Sequence, residues 1–348
     1  MLPTMHGAWL DPSLDDPQLA ERARALLAES TVICHDDADG LSSGAIALRA
    51  TGRSAHEALL MERGCTPWQA DASLADGPLA VLDWGIQPLD RPALYVDHHA
   101  LELDTLRDDQ VAVCGAGAVP EVTTSVLMGR LAPEVPHWLA AVGAVGDLGD
   151  RGLALPEFAD GIVKAHVRRL ATLVNSPRRV PGGPLRTALA ILVDAESAKA
   201  ALSDPRIAEL EEAKAWWRSE FEQVIRSAPV FGSQVAVLEF STRAHVHALV
   251  AMQWSRTLTP RPVLAANHGF LDDRVNFSVR CADPALDLRA ILRAALPDEG
   301  GEFAHGHPQA TGGSLQVERF DALLEALGVT QRKPVVPAWR HVRPRDPR

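Results

Sequence analysis

Three short apolar runs in the first third of the chain each stop at an acid or a histidine. No other feature restricts the fold as much. Thr31-Val32-Ile33 runs into Cys34-His35-Asp36-Asp37-Ala38-Asp39-Gly40, Pro78-Leu79-Ala80-Val81-Leu82 into Asp83-Trp84-Gly85, and Ala93-Leu94-Tyr95-Val96 into Asp97-His98-His99. Such runs, bounded by turn residues, read as buried strands. Gln110-Val111-Ala112-Val113 is a fourth. Parallel strands end on the same edge of a sheet, so the three polar clusters would converge there, in the crevice where open α/β sheets take ligands. The small apolar stretch Leu41-Ser42-Ser43-Gly44-Ala45-Ile46-Ala47-Leu48 predicts a helix capped by Ser42 or Ser43. Taken alone, the first cluster also fits an acidic surface turn; the repetition of the pattern favours a site.

At 348 residues the chain exceeds one ordinary core, and its 47% hydrophobic content suffices for two domains. A helical stripe begins at Pro17 and ends at Glu29, residues 62–78 read as irregular, and helices follow at 121–131 and 136–146. The second of these delivers Gly146-Asp147-Leu148-Gly149-Asp150 at its end, where the acids also fit a plain C-terminal turn. From Ala195 to Ser227 the pattern is helical, broken at Pro205. Its Leu210, Ala213, Trp216, Trp217, Phe221 and Val224 read as a packing stripe.

Beyond it lie strands at 235–240, 263–266 and 274–280, helices at 245–254, 286–296 and about 317–327, and a loop rich in glycine and histidine at 300–314. The expected organisation is α/β with two domains. A parallel-sheet domain spans 1–193, a helical connector 194–229, a smaller α/β domain 230–330, and a Pro/Arg tail, expected to be disordered, 331–348.

Acidic residues outnumber basic ones 45 to 34, for a net charge of −11. A protein that holds long duplex electrostatically needs a basic stripe, so a nucleic-acid substrate here would be short or gripped locally. Cys34, Cys65, Cys114 and Cys281 are scattered, without zinc-knuckle spacing or a disulfide framework, and read as reduced and mostly buried. No signal peptide and no span-length apolar stretch is visible, which predicts a cytoplasmic protein with no membrane partner.

Carboxylates this dense repel one another unless a cation joins them. A two-metal hydrolase needs about six or seven mixed imidazole and carboxylate ligands, with one carboxylate bridging ions ~3.5–4 Å apart. His35, Asp37, Asp39, Asp83, His98 and Asp147 supply that set. Nitrogen plus several oxygens without thiolate suits Mn²⁺, with Mg²⁺ or Co²⁺ as alternatives. Cys34, next to a ligand but on the other face of its strand, reads as core.

The motifs His35-x-Asp37-x-Asp39-Gly40, Asp83-x-Gly85, Asp97-His98-His99 and Gly143-x-x-Gly146-Asp147 resemble, in order, the four motifs of the DHH phosphoesterase superfamily. Gly306-His307-x-x-Ala310-x-Gly312-Gly313, with the strand ending in Arg280, resembles its associated C-terminal domain. Together these cover residues 35 to 313 and look like the RecJ, nanoRNase and phosphoadenosine-phosphatase branch. The resemblance implies that His35 and Asp37 hold one ion and Asp39, His98 and Asp147 the other, with Asp83 as bridge. It further implies that Asp97 orients His98, that His99 faces the scissile phosphate, and that Arg280 and His307 grip substrate phosphate.

Two features depart from the family. Ala304-His305-Gly306 stands where it usually has three glycines, so the loop is stiffer and His305 adds or replaces a contact. The extra oligonucleotide-binding domain of full-length bacterial RecJ is lacking, which argues against processive degradation of long strands. Asp150 competes with Asp147 as ligand, and motif position favours Asp147. The activity implied is a Mn²⁺-dependent phosphodiesterase trimming short single-stranded RNA or DNA, down to dinucleotides, to mononucleotides. Alternatives are a hydrolase of cyclic dinucleotides or of 3′-phosphoadenosine 5′-phosphate, and a non-catalytic scaffold; a homodimer is allowed.

Overall fold

In the computed structural model, which describes residues 8–70, 74, 76–99, 105–300, 303–333 and 335, the predicted strands assemble into one parallel sheet. The chain opens with β1 (Ala8–Leu10) and α1 (Pro17–Glu29), the latter capped by the Asp16 carboxylate on the amides of Gln18 and Leu19. β2 (Thr31–Cys34) leads into α2 (Ala38–Ala50), followed by the single turn α3 (Pro67–Ala70), then β3 (Leu79–Leu82), β4 (Ala93–Asp97) and β5 (Gln110–Cys114). The strand order is β1-β5-β4-β3-β2, every pairing parallel. Sequence reading missed β1, because three residues carry no period.

Helices α4 (Thr124–Leu131), α5 (Trp138–Leu148), α6 (Lys164–Val174), α7 (Leu185–Asp194), α8 (Ala198–Ser203) and α9 (Ile207–Val224) follow. Alternate strand residues (Val32, Cys34, Ala80, Leu82, Leu94, Val96, Val111, Val113) face the helices, and their neighbours Ile33, Val81, Tyr95 and Ala112 pack on the other face with Ile86, Leu89 and Leu106. A parallel sheet buried on both faces reads as continuous apolar runs, which is why the strands were visible in sequence.

One expectation is corrected here. Helix α2 starts three residues earlier than its apolar stretch suggested. Its cap is Asp37, whose Oδ1 accepts the amides of Asp39 and Gly40; Ser42 and Ser43 lie buried inside the helix.

The contacts divide the chain into two units, Met1–Arg178 with Gly182–Ala213, and Arg179–Pro181 with Lys214–Arg348. The division passes through α9: Leu210 belongs to the first core, while Trp217, Phe221 and Val224 pack into a cluster of the second unit. The stripe is therefore packing at these positions, while Trp216, read as part of it, is 38% exposed.

The second unit contains β6 (Val230–Phe231), β7 (Ala236–Phe240), α10 (His247–Thr257), β8 (Val263–Asn267), β9 (Arg274–Arg280), α11 (Leu288–Ala295), β10 (His305–His307), β11 (Ala310–Gln316) and α12 (Val317–Ala326). Its mixed sheet runs β10-β11-β9-β8-β7-β6, with only β7 and β8 parallel. The stretch read as a glycine- and histidine-rich loop is thus largely an antiparallel hairpin, hidden in sequence because glycines weaken any strand signal. Of the tail, residues 336–348 lie outside the described residues. No helix among the described residues is long and apolar enough to cross a membrane.

Candidate metal centre

The three polar clusters converge at the carboxyl edge of the first sheet. His35 follows β2, and its amide continues the ladder to Leu82 O at 3.1 Å. Asp83 follows β3 in the left-handed region, at φ 68°, a conformation that stores strain and turns its side chain inward. His98 follows β4. Asp39 and Asp147 come from α2 and the last turn of α5.

These residues form two groups whose ligand atoms lie within 4.8 Å of one another, His35–Asp37–Asp83 and Asp39–His98–Asp147. Asp83 stands between them, its Oδ2 3.7 Å from His35 Nδ1 and its Oδ1 3.6 Å from His98 Nε2. His98 Nε2 is also 3.1 Å from Asp147 Oδ2 and 4.0 Å from Asp39 Oδ2. His99 joins Asp83 and His98 in a third group. Asp150 is outside all three: its carboxylate is exposed and paired with Arg168 Nε at 2.7 Å. Cys34 is buried in the core, and burial, reinforced by Asp36, Asp83 and Asp37, pushes its thiol up to about 12, so it is no thiolate ligand.

Small residues let the elements close. A Cβ on Gly143 would lie 2.2 Å from Ser125 Oγ and 2.5 Å from Asp39 Oδ1; one on Gly146 would lie 2.7 Å from Ala38 Cβ. The Gly143-x-x-Gly146 spacing is thus what allows α5 to bring Asp147 against α2.

Asp39 is fully buried, and its carboxylate accepts the amides of Thr124 (2.8 Å) and Ser125 (3.1 Å) at the N-terminus of α4, where the helix dipole favours an anion. Thr124 Oγ1 donates to Asp83 Oδ1 at 2.7 Å. Neither Thr124 nor Ser125 was singled out from sequence. The run Thr123-Thr124-Ser125 ahead of an apolar helix was the available signal. Arg178 and Asn175, which also touch the site, left none.

Asp97 differs from its expected role. Its carboxylate accepts the amides of Gly85 (2.7 Å) and His99 (2.6 Å) and lies 3.1 Å from His99 Nδ1, so it orients His99 rather than His98. It sits where the strand ends, and an Asp side chain there reaches the backbone two residues on more readily than the next ring.

The acids and imidazoles of the crevice shift one another's titration. Burial raises Asp39 well above the usual carboxylate range, with Asp83 and Asp147 adding to it, and burial with Asp37 raises Asp83. Burial works against protonation of His98, but Asp147, Asp83 and Asp39 outweigh it and push the imidazole up to about 10. His99 rises to about 9 through Asp97, again against burial. His98 Nε2, on a side chain only 4% exposed, makes no hydrogen bond of good geometry among the described residues, although Asp147 Oδ2 lies 3.1 Å away and Asp83 and Asp39 also face it. A buried imidazole nitrogen aimed into converging carboxylates, without a well-formed bond of its own, fits a divalent cation.

In the second unit, Ala310 is in register with both Arg280 and His307, so these two occupy one edge of the mixed sheet on strands flanking β11. Arg280 donates from Nη1 to the carbonyls of Val279 and Thr311, both at 3.0 Å, and among the described residues no carboxylate pairs with it. Burial pulls its guanidinium down to about 10. His307 is exposed; the side chain of His305 lies outside the described residues. Gly306 has φ +102°, and a Cβ there would lie 2.7 Å from Ala310 O. Ala304 also adopts a positive φ, 59°.

A five-stranded parallel sheet followed by a mixed sheet is a fold shared with solved structures of RecJ. The chain is similar to RecJ in complex with Mn²⁺ from Thermus thermophilus, at 20% identity and TM-score 0.64 over 93% of this chain and 56% of that one. It thus spans little more than half of that RecJ. It is similar to an exonuclease RecJ bound to manganese, at 21% identity and TM-score 0.60 over 93% and 96%. A pGpG-specific phosphodiesterase from Vibrio, PggH, matches at 15% identity and TM-score 0.50 over 86% and 97%. No protein-family model and no curated protein sequence matches the chain.

Proposed function

We propose that the protein is a two-metal phosphodiesterase that hydrolyses short single-stranded RNA or DNA, including dinucleotides, to mononucleotides. The observation that carries this reading is the placement of Asp83 between His35–Asp37 and Asp39–His98–Asp147, as a bridging carboxylate requires. In this reading His35, Asp37, Asp39, Asp83, His98 and Asp147 hold two divalent ions, with Mn²⁺ favoured by the mixed nitrogen and oxygen donors. When bound, the ions would acidify the attacking water and neutralise the phosphoryl oxygens.

The chain's own residues do the rest. Thr124 and the α4 amides fix the Asp83 and Asp39 carboxylates, so the ligands are set before an ion arrives. His99, held by Asp97 and 41% exposed, presents its ring to the crevice beside Asp83 and His98, where Nε2 can deliver a proton to a phosphoryl or leaving oxygen. Arg280, a half-buried guanidinium with no carboxylate partner among the described residues, is suited to a phosphate that is not being cut, and the exposed His307 at the same end of the sheet extends that grip. The likeness to RecJ and to a pGpG-specific phosphodiesterase supports a short nucleotide polymer as substrate, as does the net charge of −11.

Purified protein stripped with EDTA and reloaded with Mn²⁺ or Mg²⁺ tests the proposal against a dinucleotide, a longer single strand, a cyclic dinucleotide and 3′-phosphoadenosine 5′-phosphate. The expected result is metal-dependent release of mononucleotides from the dinucleotide, abolished in Asp83→Ala. Turnover in metal-free buffer would end the two-metal reading; turnover of only the cyclic or phosphoadenosine compound would replace the substrate.

A further inference from the structure

Of the acids that follow β2, Asp36 belongs to neither ligand group. It pairs instead with Arg178, whose Nε is 3.0 Å from Asp36 Oδ1 and whose Nη1 is 2.9 Å from Asp37 Oδ2. The guanidinium is only 18% exposed. Arg178 lies 141 residues further along the chain than Asp37, in the single turn Pro177–Arg179 beyond α6. Three residues earlier Asn175 Oδ1 accepts the amide of Ala38 at 2.9 Å, so the same segment holds the His35–Asp39 turn at one further place.

Asp37 has a divided side chain. Its Oδ1 accepts the amides of Asp39 and Gly40 as the cap of α2. Only Oδ2 remains for an ion, and it faces His35 Nδ1 at 2.9 Å as well as Arg178. A fixed cation at this distance repels an incoming divalent ion, so charge alone argues against finding an arginine here. A planar fork that holds two neighbouring carboxylates does have a purpose: it fixes the direction of the one free oxygen.

We propose that Arg178, anchored by Asp36, is the positioning residue of Asp37, aiming Oδ2 at the ion shared by His35, Asp37 and Asp83. This rests on the two-ion reading given above. A role in gripping substrate is the poorer assignment, because Nη1 already donates to Asp37 Oδ2 and Nε lies 3.0 Å from Asp36 Oδ1 as an ion pair.

Charge and geometry predict opposite signs. If Arg178 merely balances the acids, Arg178→Gln removes a repulsive cation and Mn²⁺ binds more tightly, while Arg178→Lys leaves affinity at the wild-type level. If it aims Asp37, both variants bind the His35–Asp37–Asp83 ion more weakly, by roughly 10- to 100-fold, the usual effect of losing a partner that orients a ligand. The ion on Asp39–His98–Asp147 should be unaffected.

The full-length chain is titrated with Mn²⁺ by calorimetry, with the spin-coupled Mn²⁺ pair followed by EPR, after circular dichroism has shown that each metal-free variant folds. Asp36→Asn provides a further variant: it should weaken the same ion in the wild-type background and change nothing more once Arg178 is lysine. Wild-type affinity in Arg178→Lys, tighter binding in Arg178→Gln, or equal weakening of both ions would overturn the assignment. If Arg178→Lys does not fold, Arg178→Gln and Asp36→Asn decide, and unchanged affinity in either rejects it. A wild-type chain that binds fewer than two ions would reject the two-ion reading itself, which separates that failure from this one.

Discussion

At the scale of single residues, the site is a set of conflicts that a cation resolves. Asp39 and Asp83 are raised by burial and by neighbouring acids, and His98 is pushed up to about 10 by the carboxylates around it, against the effect of burial. Pushed that far up, the His98 imidazole carries a proton at neutral pH. Metal ligation needs His98 neutral and the carboxylates ionised, so each ion bound must displace protons. The sign follows: a raised imidazole pKa opposes binding below it, so apparent Mn²⁺ affinity should rise with pH, about tenfold per unit for each proton released, until about pH 10. Calorimetry in two buffers of different ionisation enthalpy counts those protons. A flat affinity between about pH 6 and about pH 9, a range in which a free imidazole completes its titration, would show that His98 is not a ligand.

At the scale of elements, the approach of α5 to α2 and α4 decides whether Asp147 reaches the crevice. Gly143 leaves no room for a Cβ against Ser125 Oγ and Asp39 Oδ1. Gly143→Ala should therefore destabilise the first unit by about 1–3 kcal/mol, the usual range for overpacking a tight contact. It should also displace the carboxylate that caps α4, and with it the ion on Asp39–His98–Asp147. Urea denaturation of the metal-free variant measures the first effect and Mn²⁺ stoichiometry the second. A variant as stable as the wild type with two ions bound would mean that the helices can separate without consequence. Gly306 is the corresponding point in the second unit, where a positive φ and the Ala310 carbonyl together require glycine in the hairpin.

At the scale of the whole molecule, the proposed function divides the work between the units. Every proposed ligand lies before Asp150, in the first unit, while Arg280 and His307 belong to the second. Remote groups that bind a phosphate not being cut govern which substrates are accepted, and their binding energy appears in the rate. Arg280→Ala should thus keep both ions yet lose activity steeply on oligonucleotides, by roughly 10²-fold for a bidentate charged partner. It should lose far less on bis-(p-nitrophenyl) phosphate, which has no second phosphate. Metal content by mass spectrometry alongside turnover on both substrates checks this; equal loss on both, or loss of metal, would remove the division.

The sequence by itself determined that strands would end in His and Asp clusters on one sheet edge. That signal is local: buried parallel strands are short apolar runs, and the polar residue that ends each one is its neighbour in the chain. The same locality exposed the ligand types and the packing stripe of α9. What tertiary structure alone decided is how those groups are held. Asp39 caps a helix 85 residues away, and Arg178 reaches Asp37 across 141 residues. Asp97 turns to His99 rather than His98, and Asp147 enters the crevice while Asp150, three residues on, pairs with Arg168 in solvent. Hydrogen bonds between distant segments impose no period on either segment, and a side chain's direction at a strand or helix end depends on which backbone amides packing brings within reach.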